Sequence, residues 1–325
     1  MTDFIELIDE RLTERDAKKD KEDFDREIRG IVQEVILSGL AETDFFKNNV
    51  FLGGTSIRIL HGLDRYSDDL DFNSVIKDEK FTWDYYFRHL DKHIEKYGLK
   101  FEYDDHSDED FNLKRSYIKD RSILDMLHNK GIVAPRWTKI SGGEGKKARV
   151  KMETSSQVST FGWETRKLFF PSEYSVKVMD INSLFAGKLN ACLTRSKKAE
   201  GKNERERADV GRDWYDLAWY VQKGVRPNYG FLSDKLNDKG PYQGQGIKAD
   251  LEWVKENLLS RIDGLNYKVL NEELHPLTRK ENRIVLSREF LMEAINNIEK
   301  EGYRIEYDKV EKEGRKTGTV KNAKR

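Results

Sequence analysis

Apolar residues near the start of the chain recur at a spacing that is typical of helices. Ile5, Ile8 and Leu12 follow one another at i, i+3 and i+7. A similar spacing returns between Ile28 and Leu40. Residues at this spacing share one face of a helix, which leaves the charged residues on the outer face. The pattern therefore predicts two amphipathic helices in this region.

Short apolar runs that are typical of β-strands come next. Residues 49–52 form a mostly apolar run that ends in Gly-Gly, which suits a buried strand entering a tight turn. Residues 69–72 alternate between acidic and apolar side chains, so we expect a second strand there, with a helix over 56–63 before it. Further along, the pattern predicts a helix over 82–97 and strands over 99–103 and 148–154.

The spacing of apolar residues along the chain changes at Pro171. Beyond it, apolar residues return mainly at helical spacing, which indicates an α+β fold: a mixed β-sheet flanked by helices, then a mainly helical part. Helices are predicted over 184–195, 212–222 and 251–261. The expected domains are an α+β domain over 1–170, a helical domain over 171–308 and a flexible basic tail over 309–325.

Composition narrows the possible functions only slightly. Lys and Arg together number 59, as do Asp and Glu, so the net charge neither favours nor excludes a polyanionic partner. The single cysteine, Cys192, excludes an internal disulfide and a multi-cysteine zinc site. Hydrophobic residues make up 37% of the chain and charged residues 36%, which indicates a modest core under a well-solvated surface.

Neither a membrane span nor a signal peptide is predicted. No apolar run approaches the roughly 20 residues that are needed to cross a bilayer. The N-terminus carries Asp3, Glu6, Asp9 and Glu10, and it lacks the basic start and apolar centre of a signal peptide. We therefore expect a cytoplasmic protein that does not interact with membranes.

The first segment that indicates chemistry is the run Gly53, Gly54, Thr55 and Ser56. The two glycines permit a positive φ and the close approach of a ligand to the backbone, while the two hydroxyls can donate to phosphate oxygens. A helix that starts here would add its N-terminal N–H groups to the same site. The alternative is an ordinary strand-to-helix turn in which Ser56 caps the helix.

The second such segment is the acidic pair Asp69 and Asp71. These residues alternate with Leu70 and Phe72, so on a strand both carboxylates point to one face while the apolar side chains point to the core. Two neighbouring carboxylates repel unless a cation lies between them, and hard oxygen ligands favour Mg²⁺ or Mn²⁺. A phosphate-binding turn followed by this pair indicates nucleotide chemistry.

These two segments together resemble a known family. Residues 51–56, Phe-Leu-Gly-Gly-Thr-Ser, followed by residues 65–72, Arg-Tyr-Ser-Asp-Asp-Leu-Asp-Phe, resemble the signature of the AbiEii/AbiGii nucleotidyltransferase toxins, within the polymerase-β-like nucleotidyltransferase superfamily. The resemblance implies metal-dependent transfer of a nucleoside monophosphate from an NTP, with loss of pyrophosphate. Some relatives modify the acceptor end of tRNA in toxin–antitoxin or phage-defence (abortive infection) pairs, which implies RNA, above all tRNA, as acceptor and a separately encoded antitoxin as partner.

Two later segments extend the resemblance into the second half of the chain. Residues 180–191 resemble the family's lysine-bearing helix, and residues 211–217 are similar to its Arg-Asp-x-x-Asp-Leu motif. By that resemblance, Lys188 contacts the triphosphate, Asp213 is a further acid of the catalytic site and Asp216 supports it. The alternatives are a surface lysine that extends its ammonium to solvent and an acid that favours a helix start.

Two further side chains are candidates with open alternatives. Glu153 lies on the strand that in the superfamily generally carries a third acid, and this acid acts as the catalytic base or orients it. Because Lys151 lies on the same face of that strand, an ion pair between Lys151 and Glu153 is the competing interpretation. Arg65 either contacts phosphate or fixes its loop through a carboxylate. The expected nucleotide-binding residues are Gly53, Gly54, Thr55, Ser56, Arg65 and Lys188. The expected metal ligands are Asp69 and Asp71, and the catalytic set adds Lys188, Asp213 and Glu153.

Other interpretations of the sequence stay open at this point. The segment between Arg195 and Gly211 mixes basic and acidic residues, and it is either an edge that follows RNA phosphates or a solvated loop. The acceptor could instead be a protein or a small molecule. A third possibility is a protein that binds NTP without catalysis and works through a partner.

Overall fold

A computed structural model gives the fold of the chain. It describes residues 3–76, 81–107, 113–120, 122–133, 148–155, 160–195, 210–279 and 282–303. The charge-mixed segment over 196–209 and the basic tail over 309–325 lie outside these residues. Within the described ranges, no helix combines the length and apolar character that crossing a membrane requires.

A seven-stranded mixed sheet organises the first half of the described chain. Its strands are β1 (Asn49–Leu52), β2 (Asp69–Ser74), β3 (Phe101–Asp105), β4 (Leu113–Asp120), β5 (Ala148–Ser155), β6 (Trp163–Leu168) and β7 (Tyr174–Met179). Their order across the sheet is β3-β4-β5-β2-β1-β7-β6. The β2–β5 and β1–β7 pairs are parallel and the other pairs are antiparallel. The predicted α+β class is confirmed.

Helices flank this sheet and make up most of the second half. Those of the first half are α1 (Phe4–Glu14), α2 (Lys21–Ala41), α3 (Phe45–Asn48), α4 (Gly53–His61), α5 (Trp83–Glu95) and α6 (Ser122–Asn129). Those of the second half are α7 (Ile181–Thr194), α8 (Gly211–Gln222), α9 (Tyr229–Asp238), α10 (Leu251–Ile262), α11 (Tyr267–Leu274) and α12 (Arg288–Asn296), with a 3-10 turn at His275–Leu277.

Strand β1 lies between two hydrophobic cores. One core packs α2 against the sheet and contains Ile31 and Phe51, and the other packs the helices of the second half together and contains Val50. Successive residues of a strand point to opposite faces, so Val50 and Phe51 each enter a different core, and both are fully buried. The Gly-Gly turn that follows β1 is therefore held in place from both sides.

Most predicted elements are present with small shifts of their ends. The strand over 49–52 is found as predicted, whereas the following helix begins at Gly53 rather than at Ser56. Strand β7 continues the sheet past Pro171 to Met179, and the helical part begins at Ile181. Strands β4 and β6 were not predicted; β6 lies at an edge of the sheet with mostly exposed side chains, so its sequence shows no buried face.

Candidate active site

The polar residues singled out in the sequence meet in one cleft of about 300 Å³. The cleft lies where β1, β2 and β5 of the sheet face α7 and α8. Eight of the ten predicted site residues line it: Gly53, Gly54, Arg65, Asp69, Asp71, Glu153, Lys188 and Asp213. Residues that are up to 160 positions apart in sequence, from Gly53 to Asp213, are thus brought together by the parallel β2–β5 pair and the packing of α7 and α8 beside the sheet.

The glycine turn allows the start of α4 to pack directly against the acidic strand. Gly53 has a φ of 82°, and a Cβ atom there would lie 2.3 Å from Oδ2 of Asp71. A Cβ atom on Gly54 would lie 2.8 Å from Oγ of Ser67 and 2.9 Å from Nη2 of Arg65. Only glycine fits at these two positions, and the first N–H groups of α4 have no side-chain cap.

The two hydroxyls of the turn donate within the protein. Thr55 Oγ1 donates to the backbone carbonyl of Asp69 at 2.5 Å, and Ser56 Oγ donates to the carbonyl of Gly53 at 2.8 Å. Both residues are fully buried. The hydroxyls therefore tie the turn to β2, and Ser56 lies in the first turn of the helix rather than at its cap. Their predicted contact with phosphate stays a prediction.

The alternation predicted around the acidic pair is present in β2. Leu70 and Phe72 are buried in the core, while Asp69 and Asp71 line the cleft. Burial, together with the neighbouring charge of Asp69, raises the pKa of Asp71 to about 6. Two neighbouring carboxylates in one cleft suit a divalent cation that prefers oxygen ligands.

The donor set fits Mg²⁺ or Mn²⁺ better than a zinc ion. In the part of the chain that the structure describes, no group of three or more His, Cys, Asp and Glu side chains could hold a metal. Mg²⁺ is commonly held by one or two carboxylates while water and substrate phosphates complete its coordination. Asp69 and Asp71 supply such a pair, beside a turn that can receive phosphate.

Glu153 lies beside Asp71 across the parallel β2–β5 pair, and it is also ion-paired. Arg115 Nε lies 2.5 Å from one carboxylate oxygen and Lys151 Nζ lies 3.2 Å from the other. Lys151 Nζ also lies 3.2 Å from Oδ2 of Asp69. Although burial alone lowers the pKa of Lys151, Asp69 and Glu153 outweigh it and raise the pKa. Glu153 thus lines the cleft and pairs with Lys151, while its predicted role as a third catalytic acid stays a prediction.

Lys188 is a largely buried lysine with two carboxylate partners. Its Nζ lies 3.0 Å from Asp213 and 2.9 Å from Asp216, and its side chain is 16% exposed. Burial lowers the pKa of Lys188, but the charges of Asp216 and Asp213 outweigh that effect and the pKa is raised. A surface lysine that extends to solvent, the alternative from sequence, is not what the structure shows.

Arg65 makes the carboxylate pair that was one of its two predicted roles. Its Nε and Nη2 atoms each lie 2.6 Å from a different oxygen of Asp216, and its Nη1 donates to the carbonyl of Tyr66 at 2.9 Å. Both side chains are almost completely buried. The pair joins the loop before β2 to α8, so it holds the acidic strand against the helix that contacts Lys188. A contact of Arg65 with phosphate stays a prediction.

Asp213 pairs with two basic side chains in the same wall of the cleft. It accepts hydrogen bonds from Lys188 and from Arg195, and it is 2% exposed. Sequence reasoning did not single out Arg195 or Lys151 as site residues. The alternation of Lys151 with Glu153 was a usable signal for one of them, whereas Arg195 enters the cleft only because α7 ends beside α8.

Gly53→Ala tests the packing of the turn on Asp71, with Gly62→Ala as its matched control. Both glycines have a positive φ, 82° and 74°, but a Cβ atom on Gly62 would meet nothing within 4 Å. Each variant is expected to lose about 1–2 kcal/mol of unfolding free energy from the left-handed backbone. Only Gly53→Ala should also displace the Asp71 carboxylate and weaken Mn²⁺ binding by about 10-fold or more, measured by titration. Equal Mn²⁺ affinity in the two variants would contradict the contact.

A mixed α+β fold with a glycine turn, an acidic pair and a buried lysine in one cleft defines a class of protein, the nucleotidyltransferases. A family model described as "Nucleotidyl transferase AbiEii toxin, Type IV TA system" matches residues 35–290, which include every predicted site residue. The chain belongs to this AbiEii nucleotidyltransferase toxin family, and it is a nucleotidyltransferase.

Two solved structures from Helicobacter pylori are similar to this chain. One has been assigned as a nucleotidyltransferase. It has 16% sequence identity and a TM-score of 0.40, over 85% of this chain and 91% of that chain. The other, JHP933, has 14% identity and a TM-score of 0.40 over 82% of this chain and 85% of that chain. No curated protein sequence matches the chain significantly. The family assignment therefore rests on the family model.

Proposed function

We propose that this protein transfers a nucleoside monophosphate from an NTP to RNA, with tRNA as the acceptor, and that the transfer requires Mg²⁺ or Mn²⁺. The observation that carries the proposal is the meeting of the glycine turn, the acidic pair and Lys188 in one polar cleft. A protein that only bound NTP would not need a pair of carboxylates in the cleft beside a largely buried ammonium group. The acidic pair therefore favours catalysis over simple nucleotide binding.

Asp69 and Asp71 would hold the divalent cation in this proposal. When bound, the cation neutralises the triphosphate and activates the attacking hydroxyl. The start of α4 faces the same cleft, and Gly53 and Gly54 let the phosphates approach its N–H groups closely. Since the Thr55 and Ser56 hydroxyls already donate to carbonyls, the turn would bind phosphate mainly through its backbone.

Lys188 would stabilise the pyrophosphate as it leaves. Its ammonium is held at the cleft by Asp213 and Asp216, which keep it charged and fix its position before substrate arrives. Arg65 does not need to touch the nucleotide in this arrangement. It orients Asp216, and through Asp216 it positions Lys188.

Of the two acids considered for deprotonation of the acceptor, we favour Glu153. It lies next to Asp71 in the sheet register, and 19% of its side chain is exposed, so an acceptor hydroxyl can reach it. Each acid is paired with two basic side chains, but only 3% of the Asp213 side chain is exposed, so an acceptor hydroxyl reaches it less easily. We assign Asp213 the role of holding Lys188 and Arg195 toward the phosphates.

The charge around the cleft supports a polyanionic acceptor. Arg195 and Arg212 both line the cleft, and Arg212 lies on an exposed position at the start of α8. Guanidinium groups at the mouth of an active site favour an acceptor with several phosphates over a small neutral molecule. The family description, a toxin of a type IV toxin–antitoxin system, supports a role in growth arrest or phage defence and a separately encoded antitoxin.

Incubation with each labelled NTP, Mg²⁺ and total tRNA tests the proposal. Label is expected in an RNase-sensitive, protease-resistant product with at least one NTP, and chelation of the metal should abolish it. Label that resists RNase but is lost with protease would assign a protein acceptor instead. No transfer from any NTP by folded protein, with or without added Mn²⁺, would contradict the proposed activity.

A further inference from the structure

A second cavity adjoins the polar cleft and differs from it in chemical character. It has a volume of about 220 Å³, and it shares Gly53, Lys188, Arg195 and Asp213 with the cleft as common walls. The two spaces are therefore continuous at the point where the triphosphate is proposed to bind. A ligand with phosphates in the cleft would extend its other end into this cavity.

The walls of this second cavity are more apolar than those of the polar cleft. Phe161 and Phe231 contact each other edge to face with ring centroids 5.7 Å apart, and Met179 and Leu184 lie on the same cavity surface. Aromatic and aliphatic side chains of this kind pack against flat ring systems. The combination of a charged cleft and an apolar recess matches a molecule that carries phosphates at one end and an aromatic base at the other.

One polar side chain in the wall of this cavity has an acceptor atom without a described partner. The Oδ1 atom of Asn190, on α7, is buried and has no hydrogen-bond partner among the described residues. A buried acceptor that is left unpaired costs free energy, which a donor on a bound molecule would recover. Every nucleobase presents N–H donors along one edge, so a base that enters the recess can satisfy this acceptor.

A glycine on the same face of α7 leaves the recess open. Gly187 lies one helical turn before Asn190, and a Cβ atom there would meet nothing within 4 Å. Glycine inside a helix is unfavourable by roughly 1 kcal/mol relative to alanine. A helical glycine that faces free space next to Lys188 thus marks a position where a side chain would intrude on the cavity.

We propose that this cavity, the base recess, holds the nucleobase of the NTP and that Asn190 binds the hydrogen-bonding edge of the base. This inference rests on the proposed function and specifies its substrate site. Lys235 lines the recess beside Phe231, and it supplies a donor for a ring nitrogen or a carbonyl oxygen of the base.

Calorimetric titration without acceptor separates the base from the phosphates. The probes are each Mg²⁺–NTP and Mg²⁺–inorganic triphosphate, which has no base. Gly187→Leu should weaken binding of the preferred NTP by about 10-fold or more, because the side chain fills the recess. Asn190→Ala should weaken it by about 3- to 10-fold, the effect of one lost hydrogen bond. Neither substitution should change the affinity for inorganic triphosphate by more than about 2-fold.

Gly230→Leu is the matched control, since Gly230 is also in a helix but lies on the exposed surface of α9. It should leave both affinities unchanged. If Gly187→Leu and Asn190→Ala bind NTP as the parent does, the base recess is wrong while the proposed transfer stands. If both weaken triphosphate and NTP equally, the substitutions disturb the cleft and the recess assignment is overturned. If the parent protein binds neither probe, both the inference and the proposed function fail.

Discussion

Asp71→Asn is expected to reduce nucleotide transfer by about 10³-fold or more, which corresponds to about 4 kcal/mol of transition-state stabilisation. Asp71 is the more deeply placed member of the acidic pair, in contact distance of the glycine turn. Asparagine keeps the shape of the side chain but lacks the charge that a divalent cation requires. The rate of label transfer and the affinity for Mn²⁺ should therefore fall together.

The fold of this variant is expected to be intact. The substitution removes one of two neighbouring negative charges, so the metal-free protein should be at least as stable as the parent. Asp84→Asn is the matched control, because Asp84 is an exposed acid in the first turn of α5 and lines neither cavity. Parental transfer rates and Mn²⁺ affinity in folded Asp71→Asn would remove Asp71 from the metal site.

The acidic pair could be predicted because its signal is local. The alternation of Asp69 and Asp71 with Leu70 and Phe72 follows directly from the geometry of a strand with one buried face, and the structure has that alternation. The glycine turn was similarly visible. The reason that glycine is required there could not be predicted, because the close approach of Gly53 to Asp71 depends on how β1 and β2 pair.

The partners of these residues could not be predicted from local patterns. Arg65 and Asp216 are 151 residues apart in the chain, and the sequence left two roles open for the arginine. Nothing near Arg65 in sequence indicates which carboxylate it meets, because that depends on the packing of α8 against the loop before β2. The same holds for Arg195 and Asp213, which meet only where α7 ends beside α8.

The start of α4 shows how tertiary contacts override a local signal. Ser56 is a good N-cap residue, and the sequence predicted the helix to begin there. In the structure the helix starts at Gly53, because the glycine turn packs on β2 and the Ser56 hydroxyl donates to the Gly53 carbonyl inside the first turn. The helix therefore begins three residues earlier than the sequence predicted, at the turn that packs against Asp71.

The second large effect is expected from Asp216→Asn, which should lower the free energy of unfolding by about 3–5 kcal/mol. Asp216 is fully buried and accepts two hydrogen bonds from the Arg65 guanidinium, each at 2.6 Å. It also lies 2.9 Å from Lys188. Although burial raises the pKa of Asp216, Arg65 and Lys188 outweigh that effect and lower it, so the group is charged in the folded protein. An amide in its place leaves two buried cations side by side with less compensation.

Denaturant unfolding monitored by circular dichroism measures this loss of unfolding free energy. Asp263→Asn is the matched control. Asp263 pairs with Arg288 at 2.7 Å, a similar distance, but both side chains are largely exposed. Exposed pairs are well solvated and screened, so this substitution should leave the unfolding midpoint unchanged. Similar midpoints for Asp216→Asn and Asp263→Asn would contradict a structural role for the buried pair.

A double substitution distinguishes stability from positioning. Arg65→Met combined with Asp216→Leu removes both charges of the Arg65–Asp216 pair, and replacing a buried ion pair with apolar side chains commonly restores stability. The double variant is therefore expected to unfold near the parent midpoint. Its transfer rate should stay low, because Lys188 loses Asp216 as a partner and β2 is no longer tied to α8 through the ion pair. Recovery of both stability and transfer would show that the pair holds the fold together without positioning Lys188, whereas recovery of stability alone would assign the pair to the geometry of the active site.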